Sequence, residues 1–316
     1  MSTTRRAFLA GIGTAAVLPA LPAIAKMPID TAQVAGAYRA KVGDIEITAL
    51  LDGYLDFELK LFPRSDPAQF NEMMAKSVHP KPLRGAVNAF LVNTGDKLIL
   101  VDAGGPKAFF PGMGGLHGQL KAAGVMPEAI DAVLFTHLHP DHIAGILIDG
   151  KVAFPNAELI APEVDWKFWQ SPETLAGAPE GFKPFVQFAQ TSVAPYGKKF
   201  SLHKGEAEVA KGITAVPEYG HTPGHTGYRV ASGKDQILIC GDICVGTELQ
   251  FQHPEWSIAF DADQDAAIAT RKKIFDMVSA DKIPLLGSHL PFPGQGYVVK
   301  SGTAYSYVPS QWMPVL

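Results

Sequence analysis

Between Phe135 and Gly145 the chain reads FTHLHPDHIAG, which places His137, His139, Asp141 and His142 within six residues. Imidazoles and a carboxylate suit zinc, iron, manganese or cobalt, and no thiolate is needed to complete such a set. His137 and His139 lie two apart on extended chain, so their rings project to one side. Pro140 suits a first helical position, which puts Asp141 and His142 in the first helical turn and aims them away from the first pair. One short segment can thus serve two neighbouring ions. Capping accounts for a Pro and an Asp at a helix start, but not for three histidines at this spacing. Further candidates follow strand-like runs downstream: His221 and His225 in YGHTPGHTGY, Asp242 in ICGDICVG and His289 in LLGSHLPFPG.

The elements that must position these residues alternate along the chain. IEITALL reads as a strand, and AFLVNTGDKLILVDAGG as two strands joined by a hairpin turn at Thr94-Gly95-Asp96. GGLHGQLKAAG has helical spacing with a terminal glycine, and the short strand AVLF runs into the histidine cluster. The stretch from Glu163 to about Pro195 is helical and rich in aromatics. After it GITAVPEYG, TGYRVAS and DQILICGD read as strands, Asp263 to Ser279 as a helix, KIPLLGSH as a strand, and Tyr297 to Val308 as a β-like tail. Two β-rich halves, each followed by helices, predict two sheets face to face with helices outside.

Composition narrows the function classes. With 47% hydrophobic and 18% charged residues, the 316-residue chain can bury a large core. Membrane-span length is approached only at the extreme N-terminus, where Arg5 and Arg6, a moderately apolar stretch and Ala23-Ile24-Ala25 resemble a twin-arginine signal peptide over residues 1–25. Residues 26–316 then form a single domain, exported to the periplasm or secreted, with no stable membrane anchor after processing. Loss of Arg5 and Arg6 leaves 25 basic against 31 acidic residues, a net charge of about −6 that excludes nucleic acid as a partner. A homodimer is compatible with this surface. Cys240 and Cys244 read as buried small apolar residues rather than a disulfide. His79, His117, His203 and His253 stand in polar or loop contexts without evident partners.

The pattern His-x-His-x-Asp-His, followed by His, Asp and His, resembles the metallo-β-lactamase superfamily over essentially the whole mature chain. LKAAG, THLHPDHIAG, DWKFWQSPETL, GHTPGHTGY, RKKIFD and SHLPFPG are similar, in matching order, to the branch of methyl parathion hydrolase and its lactonase and arylesterase relatives. The resemblance implies an α/β fold, an αββα sandwich of two mixed sheets, and a binuclear centre of divalent ions. Zinc is the first expectation, with iron, cobalt and manganese as the others. His137, His139 and His221 would hold one ion, Asp141, His142 and His289 the other, and Asp242 would bridge them. His221 is the matching ligand of its motif, leaving His225 to orient a ligand by hydrogen bond. Asp102, in ILVDAGG, matches an Asp lying beneath such sites.

Two ions sharing an aspartate lower the pKa of a water far enough to supply hydroxide near neutral pH, with Asp141 and Asp242 as the carboxylates at the reaction. Trp169 and Phe182 match aromatics lining the leaving-group pocket of methyl parathion hydrolase, with Phe109 or Phe110 as a third; Trp166, Phe185 and Phe188 read as core. A small neutral lactone or aryl ester is the expected substrate, with organophosphate triesters a weaker activity. A glyoxalase-type thioesterase, a β-lactamase-like hydrolase and a non-catalytic exported metal scaffold are the alternatives. Replacing Arg5 and Arg6 with Lys should trap unprocessed precursor in the cytoplasm, read by fractionation and N-terminal sequencing; unaffected export would refute the twin-arginine reading.

Overall fold

Strand periodicity sorts the apolar residues into layers. The computed structural model describes residues 33–79 and 82–316; the signal-peptide expectation for residues 1–25 lies outside them. The first sheet takes its strands in the order β1 (Ala37–Val42), β2 (Ile45–Phe57), β3 (Leu83–Asn93), β4 (Leu98–Val101), β5 (Ala132–Leu134), β8 (Glu158–Pro162) and β9 (Phe200–His203). β6 (Leu147–Ile148) and β7 (Lys151–Val152) form a separate small hairpin. β10 (Ala207–Ala210), β11 (Ile213–Pro217), β12 (Thr226–Ser232), β13 (Asp235–Ile239), β14 (Leu285–Leu286), β15 (Gln295–Ser301) and β16 (Ala304–Pro309) make the second sheet in chain order. Both sheets are mixed: β4, β5, β8 and β9 run parallel in the first, as do β13 and β14 in the second, among antiparallel neighbours.

Alternation along each strand decides which layer a side chain joins. Ile99 and Val101 of β4, Ala132 and Leu134 of β5, and Ile237 and Ile239 of β13 enter one cluster between the sheets, together with Phe90, Tyr228 and Val230. The intervening Leu100 and Val133 face outward, joined by residues of α2 (Leu116–Ala122), α3 (Pro140–Ile143), α4 (Glu163–Gln170) and α6 (Lys183–Val193). On the other side Leu238 and Leu285 meet Ile274, Phe275 and Val278 of α7 (Gln264–Asp281). The architecture is the expected αββα sandwich, with the hairpin turn at residues 94–97 and the helix N-cap at Asp263, whose side chain accepts the Ala266 N–H at 3.0 Å. α1 (Pro67–Lys76) and α5 (Pro172–Gly177) complete the helices. Among the described residues no helix is long and apolar enough to cross a membrane.

The four histidines expected to lack partners all have one, brought from distant segments for His79, His117 and His203 and from the local turn for His253. His117 Nε2 lies 2.7 Å from the Gly145 carbonyl, His203 Nε2 3.2 Å from the Tyr228 hydroxyl, His79 Nε2 3.2 Å from Glu248, and the His253 ring stacks on Trp256. Cys240 and Cys244 are buried and unpaired as disulfides, as the sequence suggested.

Candidate metal centre

β4, β5, β11, β13 and β14 all end at one rim, and each is followed within four residues by a polar residue of the site. Asp102 follows β4, His137 follows β5, His221 follows β11, Asp242 follows β13 and His289 follows β14. His139 caps α3 with extended backbone, Pro140 opens the helix, and Asp141 and His142 fill its first turn. The extended pair and the helical pair therefore approach the rim from different directions. Two groups of ligand atoms result, His137–His139–His221–Asp242 and Asp141–His142–Asp242–His289, each with all its atoms within 4.8 Å of one another and all residues buried.

Four of the five ligand imidazoles are aimed by what their outer nitrogen touches. Nδ1 of His142 lies 2.8 Å from Asp102, Nδ1 of His221 2.9 Å from Asp261, and Nδ1 of His289 2.9 Å from the Ala86 carbonyl. Thr136 donates its hydroxyl to Asp102 at 2.8 Å, which leaves its oxygen to accept from His137 Nδ1 at 3.0 Å. In each case the proton sits outside and the Nε2 lone pair faces inward. His137 Nε2 and His221 Nε2 stand 2.8 and 3.0 Å from His139 Nδ1, so three ring nitrogens converge. His225 is spent differently: its Nε2 accepts the Asp242 N–H at 3.0 Å and its Nδ1 meets the Glu218 carbonyl at 3.1 Å. It has no nitrogen left for an ion, and it holds the backbone of the shared carboxylate.

Two backbone details make this possible. Asp102 has φ of 59°, a left-handed conformation uncommon for a non-glycine residue that turns its carboxylate back under the rim. Gly241 has φ of 46°, and a Cβ there would fall 2.5 Å from His225 Nε2. Only glycine lets the Asp242 loop close on His225.

The electrostatics suit divalent cations. Burial first, then the neighbouring histidines, holds His137 and His139 well below the ordinary histidine range, so their lone pairs are free near neutral pH. In the second group burial also opposes charge, but the Asp242, Asp141 and Asp102 carboxylates outweigh it and raise His142 well above its usual value; His289 rises to about 10 by the same contest. Asp141, which burial alone would raise, falls to about 2 beside His142 and His289. This group demands positive charge, which a divalent ion meets with both imidazoles neutral. His142 Nε2 and Asp242 Oδ1, buried, 3.3 Å apart and without hydrogen-bond partners, are the atoms such an ion would satisfy. Asp242 faces both groups, with Oδ2 at 3.4 Å from His221 Nε2 and 3.0 Å from His289 Nε2. The donor set fits two divalent ions.

Above the ligands opens a narrow cleft walled by Leu55, Phe57, Phe110, Phe185, Val245, Ile258 and Phe260. Its composition corrects the aromatic assignment. Phe185, expected in the core, lines the cleft with Phe110 and Phe260, whose rings lie 6.2 and 6.4 Å from its own. Trp169, expected in the wall, is fully buried behind His139, edge to face at 5.2 Å. Phe182 packs between them, 6.2 Å from His139 and 5.5 Å from Trp169, and Phe109 backs Phe185 at 5.3 Å. Trp166 stacks on Phe200 and Phe188 packs on Phe109. Sequence reasoning missed Thr136, Asp165 and Asp261. Asp165 resembles any acidic residue in a helical first turn, and Asp261 stands two residues before the N-cap Asp263 with nothing to separate their roles.

Residues 82–282 match the family model described as the metallo-beta-lactamase superfamily, and the chain belongs to that superfamily. It is a metal-dependent hydrolase with lactonases among its relatives. Of solved structures, hydrolase AbOPH of the beta lactamase superfamily is 35% identical, with TM-score 0.84 over 89% of this chain and 100% of that one. AidC, a dizinc quorum-quenching lactonase in complex with a product, N-hexanoyl-L-homoserine, is 27% identical with TM-score 0.83, over 88% and 99%. An N-acyl homoserine lactonase of a Bacillus species is 22% identical over 212 residues, 61% of this chain and 76% of that protein.

Elemental analysis of purified variants discriminates the two histidines of the GHTPGH segment. His221→Ala should lose one of two ions, whereas His225→Ala should keep both. Full loading of His221→Ala with depletion of His225→Ala would transfer the ligand role to His225.

Proposed function

We propose that this chain is an exported binuclear hydrolase that opens lactones and cleaves aryl esters, and acts more weakly on organophosphate triesters. The observation that carries the reading is the pairing of two ligand groups sharing Asp242 with a cleft whose other lining side chains are all apolar. Bound there, two divalent ions would ionise a water near neutral pH and polarise a substrate oxygen. The chain's own residues do the rest. Asp141, 3.3 Å from His289 Nε2, and Asp242 are acceptors at the cleft floor for the proton that a water gives up on attack. Phe110, Phe185 and Phe260 exclude water and hold the apolar part of the ester over that floor. Among the described residues no Lys or Arg lines this cleft, which disfavours phosphate monoesters and nucleic acid as substrates.

The lactonase relatives support the ester class, and the stretches that resemble methyl parathion hydrolase support the phosphotriester activity, since the same nucleophile can attack phosphorus where the cleft admits a tetrahedral centre. The Arg5-Arg6 leader supports export. In a panel of an aryl lactone, a long-chain acyl lactone, an aryl acetate, a phosphotriester, a glutathione thioester and a β-lactam, the lactones and the aryl acetate should give the highest kcat/KM, with the phosphotriester lower. Turnover of the thioester or the β-lactam alone would refute the assignment, and stability regained on metal loading without any turnover would favour a scaffold.

A further inference from the structure

The histidines of the first ion position come from two loops far apart in sequence, and their separation must be set by something other than the ligands. Asp102 and Asp261 each touch a ligand imidazole. Asp165 touches the backbone of both loops instead. It lies in the first turn of α4 with 0% exposure. Its Oδ2 accepts the N–H of Leu138, between His137 and His139, at 2.8 Å, and its Oδ1 accepts the N–H of Gly224, between His221 and His225, at 3.2 Å. A Cβ at Gly224 would stand 2.1 Å from the Asp165 backbone nitrogen, so the second loop is seated directly on the start of α4.

We propose that Asp165 is a positioning residue, a strut that fixes His137 and His139 relative to His221 and thereby sets the affinity of that ion position, with little influence on the Asp141–His142–His289 position. The proposal rests on the two-ion reading of the site. Two converging N–H donors need an acceptor with two oxygens, which a carboxylate offers. An amide offers one and turns its NH2 against the other donor, leaving that N–H unsatisfied in the interior. The second position has other supports. Asp102 holds His142, the Ala86 carbonyl holds His289, and Asn88 grips the His289 loop through the carbonyls of Gly287 and Leu290 at 3.1 and 2.8 Å. None of these runs through Asp165.

The test is a zinc titration of Asp165→Asn beside the wild-type protein, with bound zinc counted after equilibrium dialysis. The wild type should hold two ions tightly. Asp165→Asn should hold one at wild-type affinity and the other about 10- to 100-fold more weakly, the range for loss of an outer partner of a metal ligand. Adding His289→Ala to Asp165→Asn should then strip the tight ion as well, whereas adding His137→Ala should remove only the ion already weakened. Two ions at wild-type affinity, or equal weakening of both, would overturn the strut. A wild type binding fewer than two ions would instead overturn the two-ion reading and the strut with it. Melting of the chelated proteins checks that Asp165→Asn folds without metal. If it does not, Asp165→Glu, which keeps both oxygens on a longer stem, goes through the same titration, and equal weakening of both ions would again overturn the proposal.

Discussion

The structure is organised around one requirement: five imidazoles and two carboxylates converge in a buried space, and each lone pair that faces inward must be matched by a proton held outside. An unpartnered polar group in the interior costs about 1–3 kcal/mol, more if charged. The cluster is therefore tenable only when every ring is locked in one tautomer and every carboxylate meets positive charge. Asp102, Asp261, Thr136 and the Ala86 carbonyl meet the first condition for His142, His221, His137 and His289, while His139 brings its Nδ1 to His137 and His221; the second condition is what makes the site a seat for divalent cations.

Much of the fold serves that requirement. Parallel pairing of β4 with β5 and of β13 with β14 brings their C-terminal ends to a single rim, so loops from both sheets reach the same point. Where a loop must turn more sharply than an ordinary residue allows, the backbone adopts left-handed φ at Asp102 and Gly241. Such conformations persist where the surroundings hold them, and here both turns are held from outside the chain segment that makes them: the Asp102 carboxylate by Thr136 and His142, the Asp242 backbone by His225.

The sequence made the ligands and the layer order legible because both are local signals. Uninterrupted apolar runs in LILV and QILI reveal strands buried on both faces, and the spacing of His137, His139, Asp141 and His142 survives folding because strand and helix geometry are fixed. What the sequence hid depends on distance. Cleft walls come from five separate segments, carrying Leu55 and Phe57, Phe110, Phe185, Val245, and Ile258 with Phe260, so helical spacing within α4 or α6 could not tell Phe185 on the wall from Trp169 behind a ligand. Asp165 and Asp261 were hidden for the same reason: a carboxylate that binds a remote N–H or imidazole looks, in sequence, like one that merely opens a helix. His225 was separated from His221 by motif resemblance alone in the sequence; the physical reason, both of its nitrogens engaged, comes from the fold.

The central claim is that one buried aspartate joins two ion positions of different character. Anomalous diffraction at the zinc edge from crystals of the zinc-loaded protein tests it most directly. Two peaks are expected, one bounded by His137, His139 and His221, the other by Asp141, His142 and His289, with Asp242 in contact with both. A single peak, or any peak bound to His225, would contradict it.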